Sequence, residues 1–81
     1  MISTGDVRRL LDAGPDAVLV VLEGQTEVLN PAALDTDAYR GALQVVTRAE
    51  LIQQAGSDEL SERELAEQAA ALDTAVSELG G

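Results

Sequence analysis

The sequence contains no cysteine, no histidine and no lysine. Without cysteine and histidine, the chain lacks the thiolate and imidazole groups used in most nucleophilic catalysis, redox sensing and zinc binding. Without lysine, it cannot form a Schiff base with a carbonyl substrate. We therefore expect a protein that is not an enzyme and that has no catalytic, cofactor-binding or metal-binding residues.

Large aromatic side chains are almost absent as well. Phe and Trp do not occur, and Tyr39 is the only aromatic residue. The core must therefore consist of Leu, Val, Ile and Ala, and we expect one domain over residues 1–81. A chain of this length buries only about 60% of the surface that its unfolded form exposes. Because no disulfide or large aromatic residue supplements this small core, the composition favours a homodimer that shares buried surface.

Positive charge is scarce, since the chain has 5 basic residues, all Arg, and 15 acidic ones, which gives a net charge of −10. This excess disfavours nucleic acid and anionic membranes as partners and favours a basic protein. The first residues lack a basic and apolar signal pattern, and no apolar run approaches the ~20 residues of a membrane span. We expect a cytoplasmic protein, and Arg without Lys in a chain rich in Ala, Asp and Leu is typical of a GC-rich bacterial genome.

The densest apolar run is residues 17–22, with the sequence AVLVVL. Such a run is too short for a helix and predicts a strand that is buried on both faces. Residues 25–29 follow with partial alternation of apolar and polar residues, so the two segments are expected to form a hairpin that turns at Glu23-Gly24-Gln25. A third strand is predicted at residues 42–46, with Leu43 and Val45 on one face and Gln44 and Val46 on the other.

Three capping boxes mark the starts of helices, each with a Ser or Thr three residues before an acidic side chain. They predict an N-terminal helix to about Ala13, a middle helix ending at Gly56, and a C-terminal helix over residues 62–79; the boxes are Ser3/Asp6, Thr47/Glu50 and Ser61/Glu64. Ser57 is a second possible cap for the last helix, but that start would turn Leu60 away from the apolar stripe. The predicted fold is α+β: a small, mainly antiparallel three-stranded sheet (hairpin 17–29 plus strand 42–46) packed by these three helices.

The C-terminal helix carries a narrow apolar face, which we call the α4 seam. Its residues follow 4, 3, 4, 3 spacing, which suits packing against one partner helix; they are Leu65, Ala69, Leu72, Val76 and Leu79. Two alternatives are open: the seam packs on the sheet or middle helix of its own chain, or it pairs with the same helix of a second subunit. We take it as the candidate interaction face.

The long connection between the second and third predicted strands contains two further candidates. Tyr39 and Arg40 could recognise a carboxylate or a partner chain, although a lone Tyr also commonly packs its ring at the edge of a core. Asp35 and Asp37 could begin a calcium or magnesium site, but the other ligands of such a loop are missing. We expect them to cap the turn that contains Tyr39.

Three glutamates could in principle form an acid–base pair, but their spacing does not place two of them across a cleft; they are Glu23, Glu27 and Glu50. The sequence therefore favours a non-enzymatic, acidic protein–protein interaction module that self-associates through its C-terminal helix. The alternative is an acidic inhibitor or nucleic-acid mimic that binds a basic protein as a monomer.

Overall fold

Three strands form one antiparallel sheet in the computed structural model, which describes residues 2–78. The strands are β1 (Val18–Leu22), β2 (Gln25–Leu29) and β3 (Leu43–Thr47). Their order is β2-β1-β3, so the apolar strand lies in the centre and pairs with both of its neighbours. This arrangement confirms the predicted α+β fold.

The hairpin between β1 and β2 turns over two residues, Glu23 and Gly24. Their φ angles are 53° and 80°, and Leu22 pairs with Gln25 directly after the turn. Two consecutive residues with positive φ define the type I′ turn, whose twist matches that of the flanking strands. Gln25 therefore already belongs to β2 rather than to the turn.

The central strand is enclosed on both faces, as predicted. Leu19 has no exposed surface and belongs to the core beneath the helices. Val20 points to the opposite face, which we call the second face of the sheet, and it too has no exposed surface. Val18, on the same face as Val20, is 5% exposed. Only the last two residues of β1 are half-buried.

A bulge in β3 changes the predicted orientation of its side chains. Leu19 pairs with Val46 but the next residue, Val20, pairs with Gln44, so Val45 is an extra residue in the strand. A bulge breaks the simple alternation of faces. Val46 lies in the core beneath the helices, and Val45 packs against the same core. The prediction that Val45 and Val46 occupy opposite faces of the sheet was therefore wrong.

The helices include the three predicted from capping boxes, each of which begins directly after its cap. They are α1 (Thr4–Asp12), α2 (Pro31–Leu34), α3 (Arg48–Ala55) and α4 (Glu62–Glu78), with a short 3-10 turn at Asp37–Tyr39. All three predicted capping boxes form, and that of α4 uses Ser61 and Glu64, with N···O distances of 3.0 and 3.2 Å. Gly56 closes α3 with a φ of 83°. None of these helices is both long enough and apolar enough to cross a bilayer.

α1, α3 and α4 form one layer on the sheet. α1 packs against α4, β1 and β2, while α4 also contacts β3 and α3 contacts β3. The side chains between the layers are aliphatic, and Leu10, Leu19 and Leu51 are fully buried there. Arg48 joins two parts of the layer, because its Nε donates a 2.9 Å hydrogen bond to the carbonyl of Leu11 at the end of α1. One chain thus encloses a continuous core.

Asp6 is the buried charged residue of this core, at 3% exposure. Its carboxylate accepts hydrogen bonds from the Ser3 amide at 2.9 Å and from the Ser3 hydroxyl at 3.1 Å, and it pairs with Arg9. Burial alone would raise the pKa of this carboxyl. The hydrogen bonds from Ser3, Thr26 and Arg9 to its charged form outweigh that effect, so the pKa lies below its ordinary value of 3.8.

Asp6→Asn is expected to lower the free energy of unfolding by about 1–2 kcal/mol at pH 7, because hydrogen bonds to the charged group are lost. A lowered folded-state pKa stabilises the protein in full above the unfolded value of about 3.9. This contribution is lost as the pH falls through the folded pKa. Urea unfolding at pH 7 and pH 3 should therefore show a smaller acid-induced loss for the variant than for the parent. Asp12→Asn, an exposed change on the same helix, is the control and should follow the parent.

Candidate interaction surfaces

The α4 seam lies inside the core of a single chain. Leu65, Ala69, Leu72 and Val76 are 3%, 5%, 6% and 9% exposed, because α4 packs on β3 and on α1. Leu79, the fifth predicted seam residue, lies outside the described residues, as do the two closing glycines. Self-association stays a prediction, but a dimer through the four described seam residues would require α4 to leave its own core.

Tyr39 and Arg40 point to different environments. Tyr39 is half-buried, and its hydroxyl donates a 2.9 Å hydrogen bond to Oε1 of Glu27. Glu27 pairs with Val20 across the hairpin, so Tyr39 lies over the second face of the sheet. The Arg40 side chain is 83% exposed and pairs with Asp37 at 2.7 Å. Tyr39 therefore helps to cover the second face of the sheet. Of the two predicted recognition residues, only Arg40 is exposed.

The bond to Glu27 also changes the acidity of Tyr39. Donating its proton to a carboxylate stabilises the neutral phenol, and partial burial and the negative charge of Glu27 act in the same direction. Together these effects raise the pKa of Tyr39 above its ordinary value of 10.0. The hydrogen bond from the Tyr39 hydroxyl thus holds the Glu27 side chain in place on the second face.

The aspartates of the long connection do not cap the 3-10 turn. Thr36 occupies the N-cap position, and its side chain makes no capping bond; its hydroxyl donates to the Ala33 carbonyl instead. The cap in this connection is Asn30, whose Oδ1 accepts a 2.8 Å hydrogen bond from the Ala33 amide and so starts α2. The predicted capping role of Asp35 and Asp37 was therefore wrong. Within residues 2–78, no three acidic side chains are grouped so that they could hold a metal ion.

Each of the five arginines forms an ion pair with a carboxylate of the same chain. The pairs are Arg8–Glu62, Arg9–Asp6, Arg40–Asp37, Arg48–Asp58 and Arg63–Glu67. The three pairs with both side chains exposed, Arg8–Glu62, Arg40–Asp37 and Arg63–Glu67, contribute little to stability, about 0–1 kcal/mol each. The consequence of all five pairs is electrostatic: each cation is compensated internally, so the net charge of −10 resides in carboxylates that have no Arg partner.

Several of these remaining carboxylates accept hydrogen bonds within the chain, among them Glu27 from the Tyr39 hydroxyl and Asp73 from the Ile2 amide. Glu50 and Glu64 cap helices, and hydrogen bonds from Ser61 lower the pKa of Glu64. Others face water and accept no hydrogen bond from residues 2–78; they include Asp12, Asp16, Glu23, Asp35 and Glu59. They lie in α1, in loops and in the hairpin turn, so the carboxylates without an Arg partner are not confined to one element.

The structure gives the three candidate catalytic glutamates separate structural roles. Glu23 forms the hairpin turn, Glu27 accepts the Tyr39 hydroxyl and Glu50 caps α3. The sequence did not indicate that Glu27 and Tyr39 are joined, since they are 12 residues apart. The one indication in the sequence was that Glu27, a charged residue, lies in the middle of a predicted strand.

The chain matches no protein-family model, no curated protein and no solved structure.

Proposed function

We propose that the protein is a non-enzymatic interaction module that binds a basic protein partner through its acidic surface. The observation that carries this proposal is that all five arginines are paired within the chain. A basic partner would therefore meet carboxylates whose charge has not been neutralised and would encounter no uncompensated arginine. Electrostatic attraction of this kind accelerates association and selects partners by charge.

The burial of the α4 seam within one chain favours a basic protein over a second copy of the chain as the binding partner. The sequence favoured self-association because the predicted core is small and the narrow seam suits packing against one partner helix. In the structure, its four described residues are at most 9% exposed within one chain, so the acidic surface, rather than the seam, is open to a partner. A single folded chain is sufficient for the proposed function.

Affinity capture tests the proposal directly. The full chain is immobilised and exposed to a cell lysate at increasing salt, and the released proteins are identified. We expect the captured proteins to be basic and to dissociate as the salt rises, because screening shortens the reach of exposed charges to about 10 Å at 0.1 M. A captured protein is then purified and its affinity for the chain measured in solution.

A charge variant provides the matched comparison. Asp12→Asn, Asp16→Asn, Glu23→Gln and Asp35→Asn remove exposed carboxylates that hold no other residue in place. Their combined effect is expected to weaken binding of the purified partner by about tenfold or more. The neutral exchanges Gln53→Asn and Gln54→Asn should leave the affinity unchanged. Captured proteins that are no more basic than the lysate, or an affinity that is independent of salt, would contradict the proposal.

A further inference from the structure

The outer edge of β2 offers regular, unpaired backbone groups. In a hairpin with a two-residue turn, the residues that flank the turn exchange backbone hydrogen bonds, and this pattern repeats at every second residue. Gln25, Glu27 and Leu29 therefore bond to β1. The N–H and C=O groups of Thr26 and Val28 point away from the sheet. No group within residues 2–78 bonds to them.

The opposite edge of the sheet, formed by β3, is less suited to pairing with another strand. The β3 bulge at Val45 interrupts the regular spacing of its backbone groups. The amides on either side are occupied as well, since the Ala42 N–H donates to the Tyr39 carbonyl at 3.0 Å and the Thr47 N–H donates to Glu50 at 3.0 Å. Only the β2 edge can therefore accept another strand without rearrangement of the described residues.

The charge at the β2 edge determines which strand it accepts. Glu27 is the middle residue of β2, on the second face. If β2 of a second copy used both Thr26 and Val28 for antiparallel pairing, the two Glu27 side chains would lie opposite each other, and like charges in that position are destabilising. A basic side chain in the same place would instead form a favourable cross-strand pair.

A cavity lies beside the C-terminal end of this edge. Its volume is about 370 Å³, and its lining includes Val28, Leu29, Pro31, Pro15 and Asp16. Recognition by strand addition combines backbone hydrogen bonds, which give affinity, with side-chain cavities, which give specificity. The β2 edge has both features, and the acidic Asp16 again favours a basic or uncharged occupant.

We propose that the outer edge of β2 binds an extended basic segment of a partner protein as a fourth strand of the sheet, with a basic side chain opposite Glu27. This inference rests on the proposed function and specifies the site at which the basic partner binds. In this arrangement, the backbone groups of Thr26 and Val28 bond to the partner segment, and Glu27 favours a basic side chain opposite it.

The test uses the full chain, labelled with ¹⁵N, and short synthetic peptides. The probe is acetyl-Thr-Val-Arg-Val-Thr-amide. One control replaces its Arg with Glu, and the other carries N-methyl groups on the two Val residues, which removes the strand-forming N–H groups but keeps the charge. We expect the Arg peptide to slow hydrogen exchange at the Thr26 and Val28 amides by about tenfold or more. The amide of Gln44, on the opposite edge, should exchange as before.

Protein variants separate charge from backbone pairing. Glu27→Gln should abolish the preference for the Arg peptide over the Glu peptide. Asp37→Asn removes the same charge from the long connection, at a residue that is paired with Arg40, and should preserve the preference. Equal binding of the N-methylated peptide would overturn the strand addition while leaving the proposed function supported. If no peptide protects Thr26 and Val28, or if the Glu peptide binds as well as the Arg peptide, the β2 site is wrong, and salt-dependent capture then decides the proposed function separately.

Discussion

Leu72→Asp is expected to unfold the protein. Leu72 is 6% exposed in the α4 seam, so the change places a carboxylate in an aliphatic environment and removes a buried side chain. Burying the charge without a partner costs several kcal/mol, and the lost Leu packing costs about 2–5 kcal/mol. A chain of 81 residues has a total stability of only about 4–12 kcal/mol. The cooperative thermal transition observed by circular dichroism should therefore disappear at neutral pH.

Ala71→Asp is the matched control, since Ala71 is the preceding residue of α4 and is exposed. It introduces the same carboxylate at the surface, where the cost is the lower helix propensity of Asp, about 0.7 kcal/mol. This variant should therefore melt close to the parental temperature. The solution mass of each variant should be measured by light scattering. If Leu72→Asp kept the parental melting temperature and only converted a dimer to a monomer, the seam would be a subunit interface and not part of the core.

Leu19→Ala is expected to have the second largest effect. Leu19 has no exposed surface, lies on the central strand and contacts the core under the helices. Truncating a fully buried Leu removes its transfer free energy and leaves a cavity, at a cost of about 2–5 kcal/mol. Urea denaturation should show a lower midpoint with an unchanged slope, because the native surface that unfolding exposes is nearly the same.

Leu22→Ala provides the comparison within the same strand. Leu22 is half-buried at the end of β1, on the second face, so the same truncation removes less buried surface and leaves a more open site. We expect about 1 kcal/mol for this variant. If Leu19→Ala and Leu22→Ala lowered the free energy of unfolding equally, packing of the helices on β1 would not be the main source of its burial.

Local signals in the sequence determined most of the secondary structure. The Ser3, Thr47 and Ser61 caps each bond to the third residue of the helix that follows, and this interaction depends only on neighbouring residues. Gly56 likewise ends α3 because its left-handed conformation is readily accessible to glycine. Elements whose ends depend on such short-range chemistry were therefore predictable to within a residue or two.

Features that depend on distant parts of the chain were not predictable. The β3 bulge at Val45 depends on how β3 pairs with Leu19 and Val20 of β1, which lie far away in the sequence. The seam pattern of α4 could not show whether the seam packs within its own chain or against another subunit, because both alternatives bury the same side chains. The own-chain alternative named the sheet and the middle helix, and in the structure α4 contacts β3 and α1. The difference between the open β2 edge and the closed β3 edge likewise required the strand order and the hydrogen-bond register.

The bond between Tyr39 and Glu27 gives the protein a built-in optical reporter. Tyr39 is its sole fluorescent side chain, and it sits in the connection from β2 to β3. Its emission therefore follows the release of this connection from the sheet, whereas far-ultraviolet circular dichroism follows mainly the helices. If the two signals change at different temperatures, the cover of the second face opens independently of the helical layer.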